Sequence, residues 1–161
     1  MRMSDLTLRE NDDDHAEALA QTGFWGRAGA GVLFQALDTG RILISHRSEA
    51  VEEPGTWGTW GGAMDEGEDP KSAAAREAQE ETGFYPDRRN IIPLFVFKHP
   101  SGFQYFNFLV ISEKEFKPRL NWESQGYAWF DYGEWPKPLH HGLEDLLHDT
   151  RSLSIMRMNA K

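Results

Sequence analysis

The chain has 161 residues with ten Phe and six Trp, and 39% of it is hydrophobic, which is enough apolar mass for one domain with a core of its own. A net charge of −9 without a Lys/Arg cluster argues against an extended nucleic-acid footprint, because phosphate backbones are held by grouped basic side chains. Zero cysteines exclude disulfides, thiolate metal sites and a cysteine nucleophile. With no long apolar run and no basic leader, neither a membrane span nor a signal peptide is expected, and a cytoplasmic setting is.

Residues 1–22 form an acidic arm. The run Glu10 to Asp14 and the following HAEALAQ read equally as a flexible tail or as a short helix started at Asp12 or Asp13. Residues 23–161 are expected to form the single domain. From Arg27, AGAGVLFQAL is apolar and β-forming, Asp38-Thr39-Gly40 signals a turn, and Arg41 to Ser45 resumes as a strand, so a hairpin or sequential strand pair is expected. Arg47 follows directly. Glu52 to Gly62, EEPGTWGTWGG, reads as a glycine-rich loop whose backbone can approach a ligand closely.

Asp69-Pro70 is a helix start, since the aspartate can accept from the first free amides and proline suits the first helical position. Gly83 is the matching stop, and Lys71 to Thr82 contains no breaker. On that helix Glu77, Glu80 and Glu81 share a stripe, because residues three and four apart lie on one face. Like charges so placed repel. Arg76, four residues before Glu80, is one compensator; a hard divalent cation is the stronger one, because carboxylate oxygens suit Mg²⁺ or Mn²⁺.

After the helix, Ile91 to Phe97 and Phe103 to Ile111 read as strands joined by a hairpin at Lys98 to Gly102. Both faces are apolar, which predicts a sheet covered by helices on both sides. Phe97, Phe103, Tyr105 and Phe106 can stack a base, with Phe97 and Tyr105 the substrate candidates, although aromatic residues in a central strand are usually there to be buried. Glu123 is a lone loop acid before a strand at Tyr127 to Phe130. Leu139, Leu143, Leu146 and Leu147 are spaced for one amphipathic C-terminal helix after the loop Pro136 to Leu139. His140 and His141, being adjacent on that helix, would point apart and would not readily share a metal.

From Gly62 the fixed residues run Gly62, five positions, Glu68, seven positions, Arg76-Glu77, two positions, Glu80-Glu81, one position, Gly83 and an apolar Phe84. This pattern resembles the signature of the Nudix hydrolases at every fixed position, with Ala78 standing where the family usually carries a larger aliphatic residue. The resemblance implies an α/β fold, an α/β/α sandwich with a mixed sheet. It also implies hydrolysis of a nucleoside diphosphate linked to another moiety: a nucleoside triphosphate, ADP-ribose or a sugar nucleotide. In that scheme Mg²⁺, with Mn²⁺ as the substitute, is held by Glu80 and Glu81 with the Gly61 carbonyl. Glu77 is a further ligand or the base, and Arg76 holds the carboxylates in place.

Glu123 stands where relatives carry a loop glutamate that binds metal or acts as base, and the choice between Glu77 and Glu123 stays open. Glu68 supports the loop or an outer metal position. Arg47 stands where relatives place an arginine facing substrate phosphate; a surface arginine capping a strand end is an equal reading. Thr59-Trp60 departs from the leucine-proline pair usual in the family. Pro100, sixteen residues past Phe84, matches a proline of some ADP-ribose hydrolases, and a MutT-type nucleotide hydrolase fits as well. The implied partner is a small nucleotide, and a homodimer is left open. The alternative is a nucleotide-binding module that has lost catalysis.

Overall fold

A computed structural model describes residues 27–161; the acidic arm at residues 1–22 lies outside them. Seven strands form one sheet: β1 Ala28–Ala36, β2 Ile42–Arg47, β3 Trp57–Gly58, β4 Trp60–Ala63, β5 Ile91–Lys98, β6 Gln104–Ser112 and β7 Ser124–Phe130. Helix α1 spans Pro70–Thr82, α2 His141–Leu146 and α3 Thr150–Met158. Strand β1 runs parallel to β6 over its whole length, while the other pairings are antiparallel, so the sheet is mixed. None of these helices is long and apolar enough to cross a membrane.

Two-residue alternation sorts the strands onto two cores. Val32, Phe34, Leu43, Phe108 and Val110 face α1, whereas Leu33, Ile42, Ile44 and Leu109 face α2 and α3. Helices therefore cover both faces, as the apolar strands require. On the α1 side the contact residues are Ala73, Ala74 and Ala78, all fully buried. Their small side chains let the helix lie close to the sheet, and Ala78 is thereby accounted for as a packing residue. Asp69 caps α1 by accepting from Ser72 N at 2.7 Å, and Gly83 ends it at φ 80° while donating to Gln79 O at 2.8 Å.

Two expectations are corrected. Glu52 to Gly62 is not one loop, because its second half is strand. Strands β1 and β2 pair only at Phe34↔Leu43 and Gln35↔Ile42 and then diverge. Into the opening go β3, paired with β2, and β4, paired with β1. Trp60 fills the space beneath; it is fully buried and donates from Nε1 to Leu43 O at 3.3 Å. The Thr59-Trp60 departure thus supplies a core residue.

The C-terminal segment is likewise two helices rather than one. Asp149 accepts from Ser152 N at 3.0 Å and starts a new helix three residues after the first ends. Leu143, Leu146 and Leu147 still pack on the sheet, but Leu139 lies before α2, bridged to Trp57.

Because Trp60 is wholly enclosed, Trp60→Ala should lower unfolding free energy by about 3–5 kcal/mol. Denaturant titration checks this; a loss under about 1 kcal/mol would mean that the wedge between β1 and β2 is not part of the core.

Candidate active site

The wedge delivers β4 to the flank of α1. Gly61 pairs with Gly31, and a Cβ at Gly61 would sit 2.3 Å from Ala30 O and 2.5 Å from Tyr105 OH, so the position admits only glycine. A Cβ at Gly62 would come 3.0 Å from Glu77 Oε2. Backbone and carboxylate therefore meet with nothing between them.

Arg76 organises the acids. Its Nε and NH2 clamp Glu68 at 2.9 and 3.0 Å, NH1 reaches Glu77 Oε2 at 3.0 Å and Glu80 at 3.3 Å, and NH2 also donates to Ala63 O at 3.1 Å. One guanidinium thus fastens the turn before α1 to the helix and to β4. Burial disfavours its charge, but the hydrogen bond to Glu68 and the charges of Glu77, Glu68 and Glu80 outweigh this and hold its pKa well above the ordinary value. Glu68 is held below its ordinary value: burial raises it, and Arg76 together with the Asp65 amide more than offsets that.

The remaining carboxylates are not so compensated. Burial pushes Glu77 up to about 8, against the pull of Arg76 and with the push of Glu80 and Glu123. Glu81 is 4% exposed, and burial, then the charges of Glu123 and Glu77, raise it well above its ordinary value. Its neighbours are themselves carboxylates, and Glu81 Oε2 has no hydrogen-bond partner among the described residues. Glu80 is at the rim, its side chain 44% exposed.

Glu123 reaches this group from another part of the chain. Asn121 Oδ1 accepts from Glu123 N at 2.9 Å, Glu123 O accepts from Ser48 N at 3.0 Å, and Ser124 Oγ meets Ser45 Oγ at 2.6 Å. The loop is thereby pinned to the end of β2, and its carboxylate lies against Glu81 and Glu77. Three buried or half-buried acids with one unsatisfied oxygen form a donor set of the kind a hard divalent cation accepts. The residues present fit such an ion.

Beside this group, a cavity is lined by Arg47, Thr59, Gly61, Phe97, Tyr105 and Asn107, with Phe103, His140 and His141. Tyr105 OH meets Thr59 Oγ1 at 3.3 Å, and Asn107 donates to Phe95 O at 3.0 Å. The expectation that most of the aromatic residues are core is corrected: Phe97, Phe103 and Tyr105 are half-buried along this cavity, whereas Phe106 packs beneath α1. Arg47 lines the cavity and also donates from Nε to Glu52 O at 2.8 Å, so it anchors the loop while facing the cleft.

Asn107 and Glu53 carry no local sequence signal of a place at or beside this cavity, and the expectation that His140 and His141 point apart on a helix is corrected. In the structure His140 is the N-cap of α2, outside the helix, and ligand atoms of Glu53, His140 and His141 all lie within 4.8 Å of one another. The helical spacing rule does not apply across a cap.

A family model for the NUDIX domain matches residues 26–150. Among curated proteins, the putative 8-oxo-dGTP diphosphatase 3 of Mycobacterium tuberculosis is 35% identical over 88 residues, covering 52% of this chain and 41% of that protein. A CMP-5'-(N-acetyl-N-hydroxy-3-aminopropyl)phosphonate hydrolase of Streptomyces rubellomurinus is 38% identical over 74 residues, covering 46% and 35%. The chain thus spans less than half the length of these relatives. Of the solved structures, a MutT NUDIX hydrolase from Burkholderia pseudomallei superposes with a TM-score of 0.61 at 28% identity, covering 77% of this chain and 97% of that one. A NUDIX hydrolase from Nitrosomonas europaea gives 0.65 at 21% identity, covering 80% and 70%, a likeness of fold.

The acid cluster sets a sign for stability against pH. A carboxyl raised from 4.5 to about 8 in the fold favours folding while protonated; its contribution is complete below about pH 4.5 and is lost as pH climbs through about 8. In chelator, melting temperature should fall between about pH 5.5 and pH 8. Glu77→Gln should remove a large part of that slope, a difference on the order of a few kcal/mol at the upper end. Equal slopes in wild type and variant would refute the raised carboxyl.

Proposed function

Because the chain belongs to the Nudix family, we propose that it is a divalent-cation-dependent hydrolase that cleaves the pyrophosphate linkage of a nucleoside diphosphate joined to another moiety. The observation that carries this reading is the buried Glu81 carboxylate, whose Oε2 has no hydrogen-bond partner among the described residues and whose neighbours are Glu77 and Glu123, with Gly62 against Glu77. A solvated acidic face would leave these side chains in water, where they would need no cation.

In this reading Glu80 and Glu81, with Glu77, Glu123 and the Gly61 carbonyl, hold Mg²⁺ or Mn²⁺. Such an ion neutralises charge on the phosphates and lowers the pKa of bound water. Arg76 keeps the acids in register and prevents Glu77 from swinging away. A carboxylate oxygen of Glu77 or Glu123 takes the proton of the attacking water; both belong to the same group, and geometry toward substrate decides between them. Arg47 faces substrate phosphate across the cavity, and Phe97 and Tyr105 supply surfaces on which a base can stack.

The named substrates of the two curated relatives, a modified deoxynucleoside triphosphate and a CMP conjugate, support a nucleotide as the substrate class. Pro100 lies exposed in the turn of the β5–β6 hairpin, a common place for proline, so it lends no weight to ADP-ribose in particular.

A panel of nucleoside triphosphates, ADP-ribose, sugar nucleotides and dinucleotides, assayed with Mg²⁺ and then with chelator, should give metal-dependent turnover of one group. Glu81→Gln should reduce that turnover by about a hundredfold or more, corresponding to about 3 kcal/mol of transition-state stabilisation. In Glu123→Gln, loss of the limb of the pH–rate profile that the general base sets assigns the base to Glu123, and a retained limb leaves it to Glu77. Nucleotide binding with no turnover of any member would instead establish a non-catalytic module.

A further inference from the structure

The group formed by Glu53, His140 and His141 has no part in the reaction just described. Its three side chains come from two distant segments. Glu53 lies in the loop after β2 at φ 49°, a left-handed region that side-chain-bearing residues enter only at a cost. His140 and His141 arrive through residues 138–140, which run beside β3: Trp57 N donates to Pro138 O at 2.9 Å and His140 N to Trp57 O at 2.8 Å. A Cβ added at Gly58 would lie 3.3 Å from His140 Cβ and 3.4 Å from Arg47 Cδ. His140 and Arg47 are therefore neighbours across β3, and with His141 they make a basic edge to the cavity.

Two chemistries could explain three such groups at one point: a bound transition metal, or a hydrogen-bonded triad. The proton positions decide. Gly142 N donates to His140 Nδ1 at 3.0 Å, so Nδ1 carries the lone pair and the ring proton sits on Nε2, which lies 3.2 Å from Glu53 Oε2. A metal-ligating imidazole has the opposite arrangement, with its second nitrogen donating to an acceptor. Glu53 therefore takes His141 Nδ1 on Oε2 and accepts from His141 N on Oε1 at 3.1 Å, while His140 Nε2 lies 3.2 Å from the same Oε2. Burial raises the Glu53 carboxyl, but the bonds from His141 and the two neighbouring imidazoles more than offset it, and it is held below its ordinary value.

We propose that Glu53 is a positioning residue that orients His141 as a further substrate-binding side chain, its Nε2 turned to a phosphate oxygen of the nucleotide in the cavity. With Nδ1 committed to Glu53, the ring cannot flip, and Nε2 is the edge directed away from the loop. The ring carries a proton on each nitrogen when it binds, giving one to Glu53 and one to the phosphate. Beside Arg47, His141 supplies local positive charge in a chain of net charge −9. This deepens the hydrolase reading above and rests on it.

Two measurements test it together. Histidine side-chain ¹H–¹⁵N NMR of the whole chain is recorded with and without α,β-methylene-ADP, and kcat and KM are measured for Glu53→Gln, His141→Ala and the double variant on the nucleotide the enzyme turns over. The analogue should move His141 Nε2 while His140 Nδ1 stays in place. Each single variant should raise KM about tenfold with kcat within about twofold, as for loss of one bond to a charged group. The double variant should be no worse than His141→Ala, because Glu53 acts through His141.

An analogue that binds without moving His141 Nε2, or additive KM effects, overturns this inference and leaves the hydrolase intact. Failure of any nucleotide to bind overturns both. Zn²⁺ titrating the two imidazoles, with loss of the Glu53 bonds, shows a metal centre in place of the triad and overturns the inference.

Discussion

The guanidinium of Arg76 is what allows acidic side chains from α1 and from the turn before it to crowd together. It clamps Glu68 with two nitrogens, reaches Glu77 and Glu80 with a third bond and more, and lies 3.5 Å from Asp65. One cation cannot neutralise all of them. Glu68, directly clamped, is held as a carboxylate. Glu77 and Glu81, deeper and further into the company of Glu123, are pushed toward their protonated forms. The uneven division is the chemical content of the site: a fixed positive charge supports the frame, and a second positive charge is called for where Glu81 Oε2 has no partner among the described residues.

The sheet is arranged to make this crowding reachable. Divergence of β1 and β2 opens a wedge, Trp60 fills it, and the two glycines that follow press backbone against Glu77 and Tyr105. Along the same buried face of the helix three alanines bring α1 down onto the sheet. The same wedge carries β3, along which Arg47 and the His140 segment are laid side by side. The carboxylate group and the Arg47–His140 edge of the cavity are therefore held by consecutive strands of one motif, with Gly61 between them.

Local chemistry made α1 legible from sequence, because its cap, its stop and its charged stripe are each written in single residues: Asp69, Gly83, and Glu77 with Glu80 and Glu81. The strands around it followed from alternation. Glu123 could be named but not placed, since its approach depends on Ser45 and Ser48 holding a loop from elsewhere in the chain. Two-residue strands such as β3 leave no periodic signal, so Glu52 to Gly62 looked like loop, and Trp60 looked like a departure when it is a core residue. The helix break after Leu146 was hidden by leucine spacing that continues across it, with Asp149 the only cue. The meeting of His141 with Glu53 rests on a contact 88 residues apart in sequence, which no local pattern contains.

The central claim is that the uncompensated carboxylates form a divalent-cation site. An anomalous difference map from a crystal soaked in Mn²⁺ addresses it directly, without reference to any substrate. The account requires a peak enclosed by Glu77, Glu81 and Glu123 next to Gly61. Manganese bound elsewhere only, with those three carboxylates still packed against one another, would contradict it.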